Sequence, residues 1–412
     1  MASAALPNDY DMRIRGAWQG RVAGCMLGKA VERFSMQAGQ PALATYLQDV
    51  DALPLRDYIP FEPAKAPELI LRDCCRNQFD TSSPDDDINY SVLALMLLET
   101  FGHDLTTEAV ARAWLKHLPL ASTYTAERAA YKTLLANGRE WFPEGSDLGF
   151  DINECSDNPY NTWIGAQIRA DLYGWVSPNA PAQAARLATV DAQLSHRGEG
   201  IFGAVVIAVM GAVIAGGGAI TDAITTALEF IPEDSDCAEV IALATSLSSS
   251  AAGGETIRAQ YQALNVVHTV NNLGLVVWSL SRNPDDFSAA IGDVVAEGLD
   301  TDCNGATVGA LWALQGKPIP EHWLTPWQGV VGVSLAGQAR LSIEGLAERT
   351  LAVTRALGAQ AAPKSPRGRC KEPLKIPWAW ATLADHIHMV RVIELVKLRD
   401  RAFDGFEIRQ RS

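Results

Sequence analysis

Gly200-Ile201-Phe202-Gly203-Ala204-Val205-Val206-Ile207-Ala208-Val209-Met210-Gly211-Ala212-Val213-Ile214-Ala215-Gly216-Gly217-Gly218-Ala219-Ile220 contains no charged side chain. Two architectures accept such a run. A membrane-spanning helix needs about 20 apolar residues, and a helix enclosed by other helices is equally free of a polar face. Eleven of the residues are Gly or Ala, Gly216-Gly217-Gly218 interrupts the run, and no Lys or Arg cluster flanks it to set a membrane orientation. The segment therefore reads as a buried helix at the centre of a large helical protein. The triple glycine reads as its terminus, because neither a strand nor the Gly-Lys-Ser/Thr of a phosphate loop accompanies it.

Helical spacing extends outward from this centre. Apolar residues recur three and four apart over 17–31, 92–101, 109–118, 126–135, 181–194, 220–230, 238–248, 257–264, 270–280, 287–297 and 343–357, the pattern of one apolar stripe per helix. Residues 388–401 read as a closing amphipathic helix. Strand-like alternation is nearly absent. The expected fold is all-α: a single large domain over 1–412, with a motif-bearing core at about 13–317 and a helical extension at about 340–412. Two long loops, 142–163 and 359–378, are rich in turn-forming residues, and long irregular loops are often functional.

The chain has 412 residues, 48% of them hydrophobic and 20% charged, enough to bury a large core. A net charge of −14 repels phosphates and excludes general affinity for nucleic acid or anionic membranes. The basic stretch from Lys364 to Lys371 reads as a solvated loop. Seven cysteines lie without CxxC spacing, and the adjacent Cys74-Cys75 pair suits no zinc site. An odd count without a disulfide pattern, and an N-terminus lacking a basic start and apolar run, lead to an expected cytoplasmic location.

Chemistry is concentrated in two acidic clusters, Asp85-Asp86-Asp87 and Asp300-Thr301-Asp302, each just before an apolar helical stretch. Asp is a favoured helix N-cap, which accounts for one Asp per helix and leaves the others over. Crowded carboxylates repel one another, and a hard divalent cation is the usual remedy. Successive helical side chains point about 100° apart, so each cluster converges on one place only from a turn at a helix start. Four or five carboxylates exceed the needs of one small ion, which points to a binuclear centre.

The order of motifs resembles the ADP-ribosylglycohydrolase family, of the dinitrogenase-reductase-activating glycohydrolase type. Residues 15–32, ending Gly24-Cys25-Met26-Leu27-Gly28-Lys29-Ala30-Val31-Glu32, are similar to its N-terminal signature, and Asp85-Asp86-Asp87 to its first metal motif. Ile164-Gly165-Ala166-Gln167-Ile168-Arg169, Leu194-Ser195-His196 and Leu299-Asp300-Thr301-Asp302-Cys303 resemble three further elements. Asp85 stands where the family usually has Thr or Ser, Ile88 where Thr is common, Cys303 at a threonine ligand, and Cys25 at an aspartate, as in a divergent bacterial-type branch.

The resemblance implies an all-helical fold with two Mg2+ ions, or Mn2+, at the base of a cleft. It implies metal ligation by Asp85, Asp86, Asp87, Asp300 and Asp302, with weaker help from Cys303. Glu32, Asp86 and Asp302 become the catalytic candidates, and the plain alternative for Glu32 is a surface helix end. Tyr160, Asn161, Thr162, Gly165, Gln167 and His196 become substrate-binding candidates. Without the resemblance, His196 beside an apolar helix would read as structural. Arg169 reads equally as a buried ion-pair partner. Tyr160 and Trp163 suit stacking or loop anchoring, and Asn271-Asn272 suits helix capping, with a cleft contact as the alternative. His268, His386 and His388 show no ligand spacing. The implied activity is hydrolysis of an ADP-ribosyl bond, on an ADP-ribosylated protein or a small ADP-ribosyl derivative. The departures leave open a small nucleoside or nucleotide-like N-riboside as substrate. A non-catalytic, crystallin-like structural protein is the alternative of another class.

Overall fold

The structure is a computed structural model and describes residues 6–138, 141, 146–360, 393–396 and 407–410. Within them the chain is mostly helical, as its periodicity requires. The helices in order are α1 (Tyr10–Lys29), α2 (Glu32–Ala38), α3 (Gln40–Asp49), α4 (Asp86–Phe101), α5 (Thr107–His117), α6 (Thr125–Asn137), α7 (Asp171–Trp175) and α8 (Pro181–Ala192). They continue with α9 (Glu199–Ala215), α10 (Ile220–Leu228), α11 (Asp236–Ser246), α12 (Gly253–Gln260), α13 (Thr269–Arg282), α14 (Phe287–Ala296), α15 (Thr301–Ala313) and α16 (Ile343–Gln360). Short 3-10 turns, among them Ile152–Ser156 and Ile164–Arg169, break up the long loops.

The charge-free segment forms α9, whose residues Gly200 to Ala212 are all buried, walled in by α7, α8, α10 and the Ile164–Arg169 turn. It ends at the triple glycine: Gly216, Gly217 and Gly218 donate backbone bonds to Ala212, Ile214 and Val213, and Gly217 takes φ +97°. A left-handed C-cap of this kind is where glycine carries no steric penalty. Among the described residues, no helix is long and apolar enough to cross a membrane.

A second pairing positions the site. Helix α1 carries a glycine every fourth residue, Gly16, Gly20, Gly24 and Gly28, on the face that meets α15. A Cβ at Gly20 would stand 2.1 Å from the Gly309 carbonyl oxygen, at Gly24 1.9 Å from that of Gly305, and at Gly28 2.1 Å from that of Thr301. The two backbones are in direct contact, a separation that any side chain would forbid. Trp18, on another face of α1, packs edge-on against Trp175 at 5.1 Å and donates Nε1–H to Thr350 Oγ1 at 3.0 Å, fastening α1 to α7 and α16.

Several helix starts follow the capping rule. Asp85, Thr106, Ser235 and Asp286 each accept a backbone N–H of the first turn, which satisfies a donor the helix itself cannot. Helices α2 and α3 were not anticipated from periodicity, nor was the hairpin of β1 (Val330–Gly332) and β2 (Arg340–Ser342). That hairpin braces the approach to the first acidic cluster. Ser82 N–H donates to Val330 O, Gly332 N–H to Ser82 Oγ, and Ser334 N–H to Asn89 Oδ1.

The expected closing helix over 388–401 is corrected where it is described: Ile393–Val396 forms β3, antiparallel to β4 (Glu407–Gln410). Strands of alternating β-branched or long side chains fit either period over four residues, so apolar spacing alone did not separate the two. His386, His388, the Lys364–Lys371 stretch and, beyond Gln360, the 359–378 loop lie outside the described residues.

Candidate functional site

The first acidic cluster is a helix start and more. Asp85 sits in extended backbone as the α4 N-cap, and its Oδ1 accepts the Asp87 N–H at 2.9 Å. Its Oδ2 meets Lys29 Nζ, the last residue of α1, at 2.5 Å. The 100° step between helical neighbours then separates the other two. Asp87 turns fully inward, while Asp86 stays partly exposed. Buried Arg21 donates Nε–H and Nη2–H to the Asp87 carbonyl and reaches Asp87 Oδ1 at 3.3 Å and Asp171 Oδ2 at 2.8 Å. Asp87 Oδ2 is buried with no hydrogen-bond partner.

The second cluster opens α15 after a turn in which Gly298 (φ 77°) and Leu299 (φ 60°) are both left-handed. A leucine there costs on the order of 1 kcal/mol or more and persists only when its surroundings fix it. Three bonds do so. Ser35 Oγ donates to Leu299 O at 3.0 Å, Thr301 Oγ to Gly28 O at 2.8 Å, and Asp300 N–H to Asn272 Oδ1 at 3.2 Å. Asn272 also accepts from Asn304 Nδ2 and donates to the Val266 and His268 carbonyls. Asp300 Oδ1 is buried without a partner.

These starts meet. Potential donor atoms of Glu32, Asp300 and Asp302 lie within 4.8 Å of one another, as do those of Asp87, Asp302 and Cys303, and those of Cys25, Asp85 and Asp87. Of the residues expected at the metal, Asp85, Asp87, Asp300, Asp302 and Cys303 are brought together. Asp86 joins none of the three sets, since its direction along α4 differs from that of Asp87. Glu32, expected in a catalytic role, stands among the donors at the start of α2.

The electrostatics express the crowding. Burial, reinforced by the charges of Asp302, Asp85 and Asp86, pushes the Glu32 carboxyl up to about 10. Burial and the Asp85 charge raise Asp302 to about 6. Burial and neighbouring carboxylates also raise Asp86, Asp87 and Asp300. Asp85 alone goes down: burial opposes ionisation, but the Lys29 charge and hydrogen bond outweigh it. Burial and the adjacent carboxylates keep Cys25 and Cys303 as thiols. An unpartnered buried carboxylate oxygen costs several kcal/mol unless something meets it. A hard divalent cation fits a donor set made mainly of carboxylate oxygens, and the orphaned Asp87 Oδ2 and Asp300 Oδ1 are where such an ion has bonds to make.

The loop expected to bind substrate packs beside this cluster. Tyr160 and Trp163 pack edge-on at 4.8 Å. The Asn161 carbonyl accepts Arg197 N–H at 2.9 Å and that of Thr162 accepts Thr269 N–H at 3.1 Å. Tyr160, Asn161, Thr162 and Gly165 are partly exposed, whereas Gln167 and His196 are fully buried beneath them. His196 Nδ1 lies 2.7 Å from Ser195 Oγ, and burial with the nearby Arg169 charge keeps the ring neutral. Arg169 is an ion-pair residue, 2.6 Å from both Glu127 and Asp191 and lying over the rings of Tyr90 and Trp114. Gly165 faces Glu127: a Cβ there would stand 2.2 Å from Glu127 Oε1.

Sequence reasoning missed Lys29 and the tie from Asn272 to Asp300, Asn272 reading first as a helix cap. The cap of α13 is His268, whose Nδ1 accepts Val270 N–H. Asn272 instead ties the second acidic cluster to the 266–268 segment, which pairs with Trp163. The partner of Lys29 is Asp85, 56 positions along the chain, a pairing that local spacing does not mark.

The family model of ADP-ribosylglycohydrolase matches residues 6–360. A solved chain titled "ADP-ribosylglycohydrolase-related protein complex" is similar at 16% identity and a TM-score of 0.47, covering 85% of this chain and 100% of that one. No curated protein matches. With the family model spanning both acidic clusters and every helix from α1 to α16, the chain belongs to the ADP-ribosylglycohydrolase family and is a glycoside hydrolase of ADP-ribose derivatives.

Proposed function

We propose that the protein is a metal-dependent glycosidase that hydrolyses the bond at ribose C1″ of an ADP-ribosylated side chain or a related ADP-ribose derivative. The observation that carries this is Asp302, common to the Asp87–Asp302–Cys303 and Glu32–Asp300–Asp302 sets. One carboxylate serving two donor sets is what a pair of adjacent Mg2+ ions, or Mn2+, requires. Bound there, the ions would supply Lewis acidity, orienting the ribose hydroxyls and lowering the pKa of water beside the anomeric carbon.

The chain's own groups do the rest. Asp87, Asp300 and Asp302 present the oxygens, with the Cys303 thiol a weak addition. Glu32, partly exposed at the start of α2, is placed to hand a proton to the leaving group. Asp86, partly exposed in the first turn of α4, lines the approach to the bond being broken. Tyr160, Asn161, Thr162 and Gly165 provide the partly exposed surface for the distal ribose and diphosphate, supported from below by Gln167 and His196. Asn272 positions Asp300.

The test is release of ADP-ribose from ADP-ribosylated arginine with Mg2+, with Mn2+ and with EDTA. Asp302→Ala is expected to lower turnover by about a thousandfold or more, about 4 kcal/mol, with helical circular dichroism unchanged. Release that survives EDTA overturns the proposal. Ribose release from free nucleosides, without ADP-ribose release, moves the substrate to the N-ribosides.

A further inference from the structure

Lys29 closes α1 at the edge of the acidic cluster. Its Nζ donates to Asp85 Oδ2 at 2.5 Å and to the Pro84 carbonyl at 2.7 Å. Its side chain is 16% exposed and that of Asp85 3%, so the pair is largely withdrawn from water, where opposite charges hold each other most strongly. Asp85 Oδ1 is already committed to the Asp87 N–H at 2.9 Å. Both Asp85 oxygens are therefore engaged, in contrast to the orphaned Asp87 Oδ2 and Asp300 Oδ1. A divalent ion reaches Asp85 Oδ2 only by expelling an ammonium held by two acceptors, and an ion seated alongside would be repelled by that ammonium.

We propose that the Lys29 ammonium is the resident cation at the Cys25–Asp85–Asp87 end of the cluster. Asp85 is then no metal ligand, and divalent ions are confined to the sets built on Asp87, Asp300 and Asp302. This rests on the reading above that the cluster takes divalent ions, and it assigns which carboxylates hold them. A single positive side chain thereby fixes how many ions the six clustered carboxylates accept.

The experiment counts Mn2+ per chain by equilibrium dialysis and calorimetric titration, on the full chain and without substrate. Asp85→Asn keeps a side-chain oxygen for the N-cap and is expected to bind as many ions as the wild type, more weakly because the Lys29 charge loses its partner. Lys29→Met is expected to bind one ion more. Loss of an ion in Asp85→Asn, or an unchanged count in folded Lys29→Met, overturns the assignment. Should Lys29→Met fail to fold, Asp85→Asn decides alone. A wild type that binds no Mn2+ sinks the metal-dependent reading itself, an outcome distinct from either.

Discussion

Two buried charged networks lie side by side in this molecule, and they are built on opposite plans. Around Arg169 the guanidinium's hydrogen bonds are complete: Glu127 and Asp191 take its Nη1–H and Nε–H, Ser195 Oγ and two backbone carbonyls take the rest, and two aromatic rings face the guanidinium. Around Asp302 the bonding is incomplete. Glu32, Asp85, Asp86, Asp87, Asp300 and Asp302 share Lys29 and Arg21, and Arg21 is shared again with Asp171. A saturated network holds a loop in place. One left short of positive charge is held ready for a cation that the chain does not supply. Burial alone thus fails to tell a structural ion pair from a reactive site, whereas the carboxylate oxygens left without partners, Asp87 Oδ2 and Asp300 Oδ1, do.

The contrast can be broken at its saturated side first. Arg169→Met leaves Glu127 and Asp191 buried without their partner, and a loss of about 3 to 5 kcal/mol is expected, read as a large fall in Tm. A loss below about 1 kcal/mol would show that the Arg169 network is as tolerant of missing charge as its neighbour.

The next effect belongs to the unsaturated side. The folded-state pKa values of Asp302, about 6, and Glu32, about 10, lie above their ordinary 3.8 and 4.5. The fold therefore binds more protons than the unfolded chain between those limits. Stability present in acid is lost as pH rises, by roughly 1.4 kcal/mol per pH unit for each such proton. In EDTA the Tm is expected to fall steadily from pH 5 to pH 8. Saturating Mn2+, which binds the deprotonated donors, is expected to flatten or reverse that trend. A level profile in EDTA would mean that the crowding is relieved by something other than protons.

The smallest effect is the most pointed. Asp302→Asn removes one crowded charge and is expected to raise the metal-free Tm slightly, by about 1 kcal/mol of stability, while abolishing Mn2+ binding. A variant that is less stable without metal would place Asp302 among the structural carboxylates.

Much of this was legible in the sequence because it depends on local rules. The charge-free run became α9 and its glycines a helix end, and the apolar stripes became α4 to α6 and α10 to α14 with starts displaced by a few residues. The two acidic clusters were readable as more than caps since their number exceeded what caps need. What escaped depends on distance. That Asp86 parts from Asp87 follows from where α4 begins, which periodicity placed six residues late. That Lys29 rather than an ion meets Asp85, or that Asn272 reaches back to Asp300, requires knowing which segments face each other. Residues 393–396 show the reverse error, where too short a stretch was asked to declare its period.

The glycine seam between α1 and α15 carries a mechanical corollary. With carbonyl oxygens of one helix pressed where side chains of the other would begin, the pair behaves as a single girder, and the groups at its end, Lys29 on one member and Asp300 to Cys303 on the other, travel as one piece. Any breathing needed to admit a substrate must then come from what is hung on the girder. Glu32, on short α2 beyond the Ala30–Val31 corner and fastened through Ser35, is the donor with the freest mounting.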